Sequence, residues 1–125
     1  MPHDTLGILL ISGSHARAHY AFVLAAGAAA IGREVVVFAT NQGCRALLAD
    51  WSTLDDAAAD AAVQQEGVAG FATLREAARE LGVRLIACEA GLRIAGITES
   101  LMAGVEVAGV VTFLNATRHG QLITL

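Results

Sequence analysis

Two cysteines, Cys44 and Cys88, are the residues best suited to covalent chemistry in this chain of 125 residues. Cys88 directly follows an apolar run at 83–87 and precedes a segment of helical character, so backbone N–H groups are expected near its sulfur. Such groups favour the thiolate, which is the nucleophilic form of cysteine. Cys44 has a similar setting, with Arg45 beside it. The alternative for both is a small buried apolar residue, and for Cys44 this inert role is the preferred interpretation.

Two histidines, His15 and His19, stand one helical turn apart, which is a spacing that can chelate a metal ion. No acidic residue lies between them and no third ligand is evident, so we predict no metal site. Because His15 is expected near the same edge of the sheet as Cys88, it can instead tune the reactivity of that cysteine. His19 is expected either to be packed or to face solvent.

Two loops of small and polar residues are candidates for binding an anion or a small ligand. Gly13 and Ser14 stand at a helix start, where free backbone N–H groups can bind an anion. Asn41 and Gly43 occupy the corresponding loop after the second predicted strand. The sequence has no dinucleotide-binding glycine motif, and without any lysine it cannot supply the lysine of a P-loop. No cofactor is therefore predicted.

Apolar runs and helical patterns alternate along the chain, and they define the elements that must position these residues. Strands are predicted at 6–12, 34–39, 83–87 and 105–107, with an edge strand at 121–125. The first predicted helix, at 15–31, is capped by Ser14 and ended by Gly32, and another runs from a capping box at Thr73 and Glu76 to Gly82. Shorter helices are predicted at 44–49, at 91–96, for one turn after Thr98 and at 107–114. The segment 50–70 is expected to hold a helix and a loop with acidic residues on the surface.

The alternation predicts one α/β domain over 1–125, with a mostly parallel five-stranded sheet, helices on both faces and right-handed crossovers. Ligands and catalytic groups gather at the edge shared by the carboxyl ends of parallel strands. That edge is expected to hold Gly13, Ser14, His15, Asn41, Gln42, Gly43, Cys44, Arg45, Cys88, Glu89 and Gly91. If the first strand lies between the second and third, the loops of Cys44 and Cys88 start about 10 Å apart, and a disulfide between them needs loop movement.

Composition excludes several classes of function. Hydrophobic residues make up 55% of the chain, but its longest charge-free helical stretch, between Arg17 and Arg33, has fifteen residues, short of the roughly 20 that cross a bilayer. The net charge is −4 and the eight arginines are scattered, so neither membrane insertion nor nucleic-acid binding is expected.

The start, Met-Pro-His-Asp, lacks the basic region of a secretory signal, which favours a cytoplasmic chain with reduced thiols. The apolar excess predicts burial against copies of the chain, at least as a dimer.

The segment 88–97, Cys-Glu-Ala-Gly-Leu-Arg-Ile-Ala-Gly-Ile, resembles the motif around the active-site cysteine of the DsrE/DsrF/TusD-like sulfur-relay family. Further likenesses follow in the family's order along the chain. They are Gly-Ser-His at 13–15, the alanine-rich helix at 21–32, the strand at 35–38 and the segment at 104–114. The resemblance covers most of the chain and leaves only 50–70 unmatched.

The resemblance implies a flavodoxin-like three-layer sandwich that forms homo-oligomers and carries sulfane sulfur as a persulfide. Cys88 matches the sulfur-accepting position, and the family's sulfurtransferase-type role implies a protein sulfur donor and a protein sulfur acceptor. Glu89 is unexpected beside a reactive cysteine, because an adjacent carboxylate disfavours a thiolate unless it points away or pairs with Arg93 or Arg45. Cys44 has no family counterpart, so its role is not inherited.

Two other functions stay open from the sequence. The same edge of the sheet can bind a small ligand or a partner without catalysis, in which case the cysteine is incidental. Alternatively, Cys88 can be a thiol that responds to peroxide or to redox change, with Cys44 as its resolving partner.

Overall fold

Five parallel strands form the central sheet of the computed structural model, which describes residues 5–125. They are β1 (Leu6–Leu10), β2 (Val35–Ala39), β3 (Arg84–Cys88), β4 (Val105–Ala108) and β5 (Gln121–Thr124). Their order in the sheet is β4-β3-β2-β1-β5. All residues of β2 are buried, as expected for a strand that is apolar along its length and covered on both faces. The predicted five-stranded α/β sheet is confirmed, and every neighbouring pair is parallel.

The order of the strands corrects one expectation. The spacing of about 10 Å between the loops of Cys44 and Cys88 assumed that β1 separates β2 from β3. Instead β2 pairs directly with β3, and Ala39 lies opposite Ala87. Hydrophobic periodicity identifies strands but does not say which strands are neighbours, which explains the error. The loops after β2 and β3 therefore start on adjacent strands, about 4.8 Å apart.

Helices connect the strands in chain order. They are α1 (His15–Ala30), α2 (Asp60–Gln65), α3 (Phe71–Glu80), α4 (Glu89–Ile94) and α5 (Val110–Ala116), with 3₁₀ helices at Asn41–Leu47 and Ala57–Ala59. The predicted boundaries of α1 are confirmed. The Ser14 hydroxyl accepts a hydrogen bond from the Arg17 N–H at its start, and Gly32 follows its end with φ +91°.

Several local predictions are wrong. α3 begins at Phe71 rather than at the capping box of Thr73, because Asp60 accepts the Phe71 N–H and caps the helix from a distant part of the chain. The helix expected at 44–49 is the 3₁₀ helix Asn41–Leu47, and the segment after Thr98 contains no helix. Asp60, expected on the surface with the other acidic residues of 50–70, is buried.

The direction of the crossovers explains why the two faces of the sheet are covered unequally. The connections from β1 through β4 all move the same way across the sheet, so right-handed crossovers put α1, α3 and α4 on one side, here called the first face. The connection from β4 to β5 returns across the sheet and puts α5 on the opposite side, the second face. Side chains alternate along β3, so that Ala87 packs in the core of the first face and Cys88 in that of the second. The architecture is a flavodoxin-like α/β sandwich.

Within residues 5–125, no helix combines the length and the apolar character needed to cross a bilayer. The longest helix, α1, has 16 residues, whereas a bilayer requires about 20. The opening Met-Pro-His-Asp, on which the expectation about a secretory signal rested, lies outside the described residues.

Candidate functional site

Cys88 lies at the point where β3 passes into α4. It is the last residue of the strand and the N-cap of the helix, so its side chain stands beside helical N–H groups that have no partner within the helix. Its Sγ accepts a hydrogen bond from the Gly91 N–H at 3.3 Å. An N–H donor beside the sulfur was the expected setting, and here the sulfur occupies the position that a serine or aspartate oxygen takes in most helix caps.

The surroundings of Cys88 are apolar and leave the residue only 8% exposed. It packs with Phe38, Ile86 and Phe113 in the small core of the second face. The rings of Phe38 and Phe113 stack with their centroids 4.8 Å apart, and Phe113 belongs to α5. The position of α5 therefore controls how much of the second-face core, and of this cysteine, meets solvent.

Gly91 allows α4 to pack against the end of β2. A Cβ at this position would collide with the Thr40 hydroxyl and the Asn41 backbone, which makes the absence of a side chain necessary. Asn41 itself has φ +54°, in the left-handed region that residues other than glycine rarely adopt. The N–H that contacts the Cys88 sulfur is thus held in place by close packing on the neighbouring loop.

Glu89 and Arg93 form an ion pair on the exposed side of α4. The Arg93 Nη2 donates to the Glu89 Oε1 at 3.2 Å, one helical turn away. Arg93 was one of two candidate partners named for this carboxylate. Glu89 thus has an arginine partner, which is one of the two arrangements that the sequence reasoning required of it.

Cys44 is fully buried on the first face, directly beside the backbone of Cys88. Its Sγ donates a hydrogen bond to the Ala39 carbonyl at 3.4 Å. Burial raises the pKa of this thiol from 9.0 to about 11, and the nearby Cys88 sulfur adds to the rise. Backbone hydrogen bonds from the N–H groups of Cys88 and of Cys44 itself partly oppose it. At neutral pH Cys44 is therefore a protonated thiol.

Two arginines organise the 3₁₀ helix that carries Cys44, and neither points to Cys88. Arg45 donates to Gln42 at 2.8 Å, to Thr53 at 3.2 Å and to Glu99 at 3.4 Å, which ties three loops together. The alternative that it pairs with Glu89 is therefore not realised. Arg75, on α3, is buried and donates to the carbonyls of Ala46, Leu48 and Ala49.

His15 is bound to Asp60 rather than to Cys88. The His15 Nε2 lies 2.7 Å from the Asp60 Oδ1, and both side chains are buried. Asp60 also accepts the Phe71 N–H and the Gln64 amide, each at 2.9 Å. Burial alone would raise the pKa of Asp60, but these hydrogen bonds and the charge of His15 outweigh burial and lower it. His15 thus anchors the 57–71 segment, and the prediction that it tunes Cys88 receives no supporting contact.

The two histidines bind different partners. Their rings stack with centroids 5.5 Å apart, but the His19 Nε2 contacts the Ala69 carbonyl at 2.9 Å while His15 contacts Asp60. His19 is packed, as one of its two expected settings required. In the described part of the chain, no three His, Cys, Asp or Glu side chains are grouped so that they can hold a metal ion.

The predicted anion-binding loops are engaged by backbone contacts. The Gly13 carbonyl accepts the Asp55 N–H at 2.9 Å, and the His15 N–H donates to the Asp55 carbonyl at 2.8 Å, which fixes Ser14 between them. The Gly43 N–H donates to the Ile11 carbonyl at 3.0 Å, and a Cβ on Gly43 would collide with the Leu10 carbonyl. These contacts give both loops a packing role, and anion binding there stays a prediction.

Sequence reasoning missed Asp60, Arg75 and Thr40 as residues that shape the region. Arg75 was detectable, because its spacing from Phe71 and Ala78 puts it on the buried side of α3, where an arginine needs hydrogen-bond acceptors. Asp60 gave no local signal, since its partner His15 is 45 residues away. Thr40 becomes visible only through its contact with Gly91.

Comparison with known proteins agrees with the geometry. No curated protein matches the chain. The DsrE/DsrF-like family matches it over residues 6–125, essentially its whole length, including the segment 50–70 that the resemblance had left unmatched. The sequence, the parallel sheet and this match together show that the chain belongs to the DsrE/DsrF-like family.

Proposed function

We propose that this protein is a sulfur carrier that accepts sulfane sulfur as a persulfide on Cys88 and passes it to a second protein. The observation that carries the proposal is the Cys88 sulfur at the end of β3, capped by the Gly91 N–H at 3.3 Å. Membership of the DsrE/DsrF-like family supports a sulfur-relay type of role. Cys44, which is fully buried and protonated, is the weaker candidate for the accepting thiol.

The proposed reaction is two exchanges between thiols and persulfides. In the first, the Cys88 thiolate attacks the outer sulfur of a donor persulfide; the new S–S bond forms as the donor S–S bond breaks, and the donor cysteine leaves as a thiolate. In the second, an acceptor thiolate takes the same sulfur, and Cys88 leaves as a thiolate. Electrons and atoms balance within the sulfurs. The Gly91 N–H supports the negative charge that Cys88 carries at the start and end of the cycle.

The limited exposure of Cys88 bears on the kind of donor and acceptor. With 8% of the residue exposed, sulfur must reach Cys88 through the small part of it that is open to solvent. A cysteine on a docked protein surface or a small inorganic polysulfide fits such a small opening better than a bulky soluble thiol. We infer that the natural donor and acceptor are proteins, and that they act in the cytoplasm, where free thiols such as these persist.

We also propose that copies of the chain associate through the outer surface of α5. Val110, Val111 and Leu114 on this seven-residue helix are 52%, 75% and 52% exposed, and α5 is the helix that covers the second face. A second copy packed on α5 would remove these side chains from water and add a layer over Cys88. Light scattering at micromolar concentration is expected to give a multiple of 12.9 kDa. Val111→Asp should lower that mass, whereas Tyr20→Asp, on an exposed part of α1, should not; a monomeric wild type would contradict the proposal.

Persulfide loading tests the carrier function directly. Reduced protein is treated with inorganic polysulfide, and intact-mass analysis should show about 32 Da added, mapped to Cys88 by peptide analysis. Cys88→Ser should abolish the adduct. Cys44→Ser is the matched control, because it removes the other thiol and is expected to load like the wild type. Transfer is then tested by adding an acceptor thiol and following loss of the added mass.

Other outcomes of this experiment decide between the carrier and its alternatives. Absence of an adduct with several persulfide donors would contradict the carrier function and favour a binding module. Sulfenic acid formed at Cys88 by peroxide, without any persulfide adduct, would favour a redox-responsive thiol.

A further inference from the structure

The two cysteines are close neighbours across β2 and β3. Ala39 lies opposite Ala87, so the chain leaves β2 toward Cys44 beside the point where Cys88 ends β3. The Cys44 sulfur lies at this edge, where it donates to the Ala39 carbonyl at 3.4 Å and is near the Cys88 backbone N–H.

The Cys88 sulfur can approach Cys44 by a local rotation. The Cys88 backbone N–H, which lies near enough to the Cys44 sulfur to lower the pKa of that thiol, is two covalent bonds from the Cys88 Cβ. A change of χ1 moves the Cys88 Sγ from the Gly91 N–H to another staggered position around that Cβ. Cys44 must release only its 3.4 Å hydrogen bond to Ala39, which is long and involves a weak thiol donor.

We propose that Cys44 is a second reactive sulfur, which discharges a persulfide on Cys88 when no acceptor arrives and closes a Cys44–Cys88 disulfide. This inference rests on the proposed carrier function for its persulfide. The Cys44 thiolate attacks the Cys88 Sγ, and a bond forms between the two cysteine sulfurs. The bond from the Cys88 Sγ to the outer sulfur breaks, and its electron pair leaves with that sulfur as hydrosulfide. Both cysteines are oxidised to the disulfide, the sulfane sulfur is reduced, and the proton of the Cys44 thiol ends on the departing sulfur, so that an anionic persulfide and a thiol give a disulfide and hydrosulfide.

Burial of the Cys44 thiol makes its attack on the persulfide slow, so the sulfane sulfur stays on Cys88 long enough for an acceptor to bind. The pKa of Cys44 near 11 leaves about one thiol in 10⁴ ionised at pH 7. Other charged groups around the 3₁₀ helix have their own partners. These are Arg45 with Glu99, Arg75 with backbone carbonyls, Glu89 with Arg93, His15 with Asp60 and His19 with Ala69. Cys88 is the titratable side chain whose charge acts on Cys44.

The test follows persulfide-loaded protein after the donor is removed and without an acceptor. Wild-type protein should release hydrosulfide and become about 2 Da lighter than the reduced form, as Cys44 and Cys88 join. The rate of hydrosulfide release should fall in variants that lack the Cys44 thiol. It should not change on tenfold dilution, because the attack is intramolecular. Cys44→Ser and Cys44→Ala should hold the added sulfur about tenfold longer or more at pH 9.

A second arm separates failure of this inference from failure of the carrier function. Reduced protein without persulfide is treated with hydroxyethyl disulfide, which Cys88 attacks to form a mixed disulfide; Cys44 then displaces the small thiol and gives the same lighter product. If polysulfide adds no mass but this arm yields the internal disulfide, the carrier function fails and the reactive pair stands. If Cys88 loads but neither arm produces the internal disulfide, the reactive pair is overturned. Equal persulfide lifetimes in wild type and both Cys44 variants would overturn it as well.

Discussion

The first face of the sheet carries three helices and a continuous core of 22 buried residues that includes Cys44. The second face carries one seven-residue helix over five buried residues, of which one is Cys88. Two residues of the same type, at the ends of adjacent strands, thus have opposite environments. Right-handed crossovers place most of the helices on the first face. They therefore bury Cys44 under a thick layer and leave Cys88 under a thin one.

The largest expected effect is on stability, and it compares one phenylalanine from each face. Phe22→Ala removes a fully buried ring that packs edge-to-face on Phe71 at 5.4 Å, and it should cost about 3–5 kcal/mol of unfolding free energy. Phe113→Ala should cost about 3 kcal/mol or less, because the single helix on the second face can shift and partly fill the cavity that the substitution leaves. Urea unfolding at one protein concentration measures both.

The same pair of variants should differ in thiol reactivity. Under conditions where both remain folded, Phe113→Ala should speed alkylation of Cys88 because it loosens α5, and Phe22→Ala should leave the rate unchanged. If Phe113→Ala lost as much unfolding free energy as Phe22→Ala, or more, the core of the second face would stabilise the protein as much as the core of the first face.

The next largest effect separates the two cysteines of the native protein. Iodoacetamide at neutral pH should modify Cys88 at least about a hundredfold faster than Cys44, because burial raises the pKa of Cys44 from 9.0 to about 11 and lowers its thiolate fraction. Peptide mapping after timed quenching measures both rates. Guanidinium chloride should make the two thiols react alike. Comparable alkylation rates of Cys88 and Cys44 in the folded protein would show that the two faces do not protect their thiols differently.

A smaller effect concerns the buried carboxylate of the first face. Asp60→Asn should cost about 1.5–3 kcal/mol, as expected for weakening hydrogen bonds to a charged group. Because the folded-state pKa of Asp60 lies below its ordinary value of 3.8, its ionised form stabilises the protein above that value, and this contribution is lost as pH falls through the folded pKa. Acid unfolding of the wild type should therefore steepen below about pH 4.

The control for this prediction is the same exchange at an exposed position. Asp50→Asn should change stability and acid sensitivity far less, since Asp50 makes its hydrogen bond to Ser52 on the surface. Asp60→Asn protein with the acid profile of the wild type would show that another group is responsible for the acid dependence.

The smallest expected effect is at the exposed ion pair beside the candidate nucleophile. Arg93→Ala removes the partner of Glu89 at an i,i+4 spacing and should cost less than about 0.5 kcal/mol. The alkylation rate of Cys88 should change by less than about threefold, because both side chains are mostly exposed and solvent screens them. A tenfold slower reaction in this variant would show that the unpaired carboxylate acts on the sulfur after all.

The sequence predicted the parts of the site that depend on local structure. Cys88 was expected at the end of a strand and before a helix, and both boundaries follow from the change between apolar runs and helical spacing. The Ser14 cap and the Gly32 stop of α1 are local in the same way. The edge of the sheet on which the cysteines lie follows from parallel strands alone.

What the sequence did not predict depends on partners far along the chain. Asp60 caps α3 from 11 residues before it, so the local capping box at Thr73 was misleading. The pairing of β2 with β3 is a choice between similarly apolar strands, and periodicity does not encode it. That pairing brings Cys44 beside Cys88, so the most useful fact about the second cysteine came from topology.

The pairing of β1 with β5 has a consequence for how the protein is made. Leu6 lies beside Gln121, so β1 and β5, the first and the last strands of the described residues, are neighbours in the sheet. Until β5 leaves the ribosome, at about 5–20 residues per second, β1 presents an open and strongly apolar edge. Nascent chains that stall before β5 therefore carry an unpaired strand, of the kind that promotes aggregation and recruits chaperones.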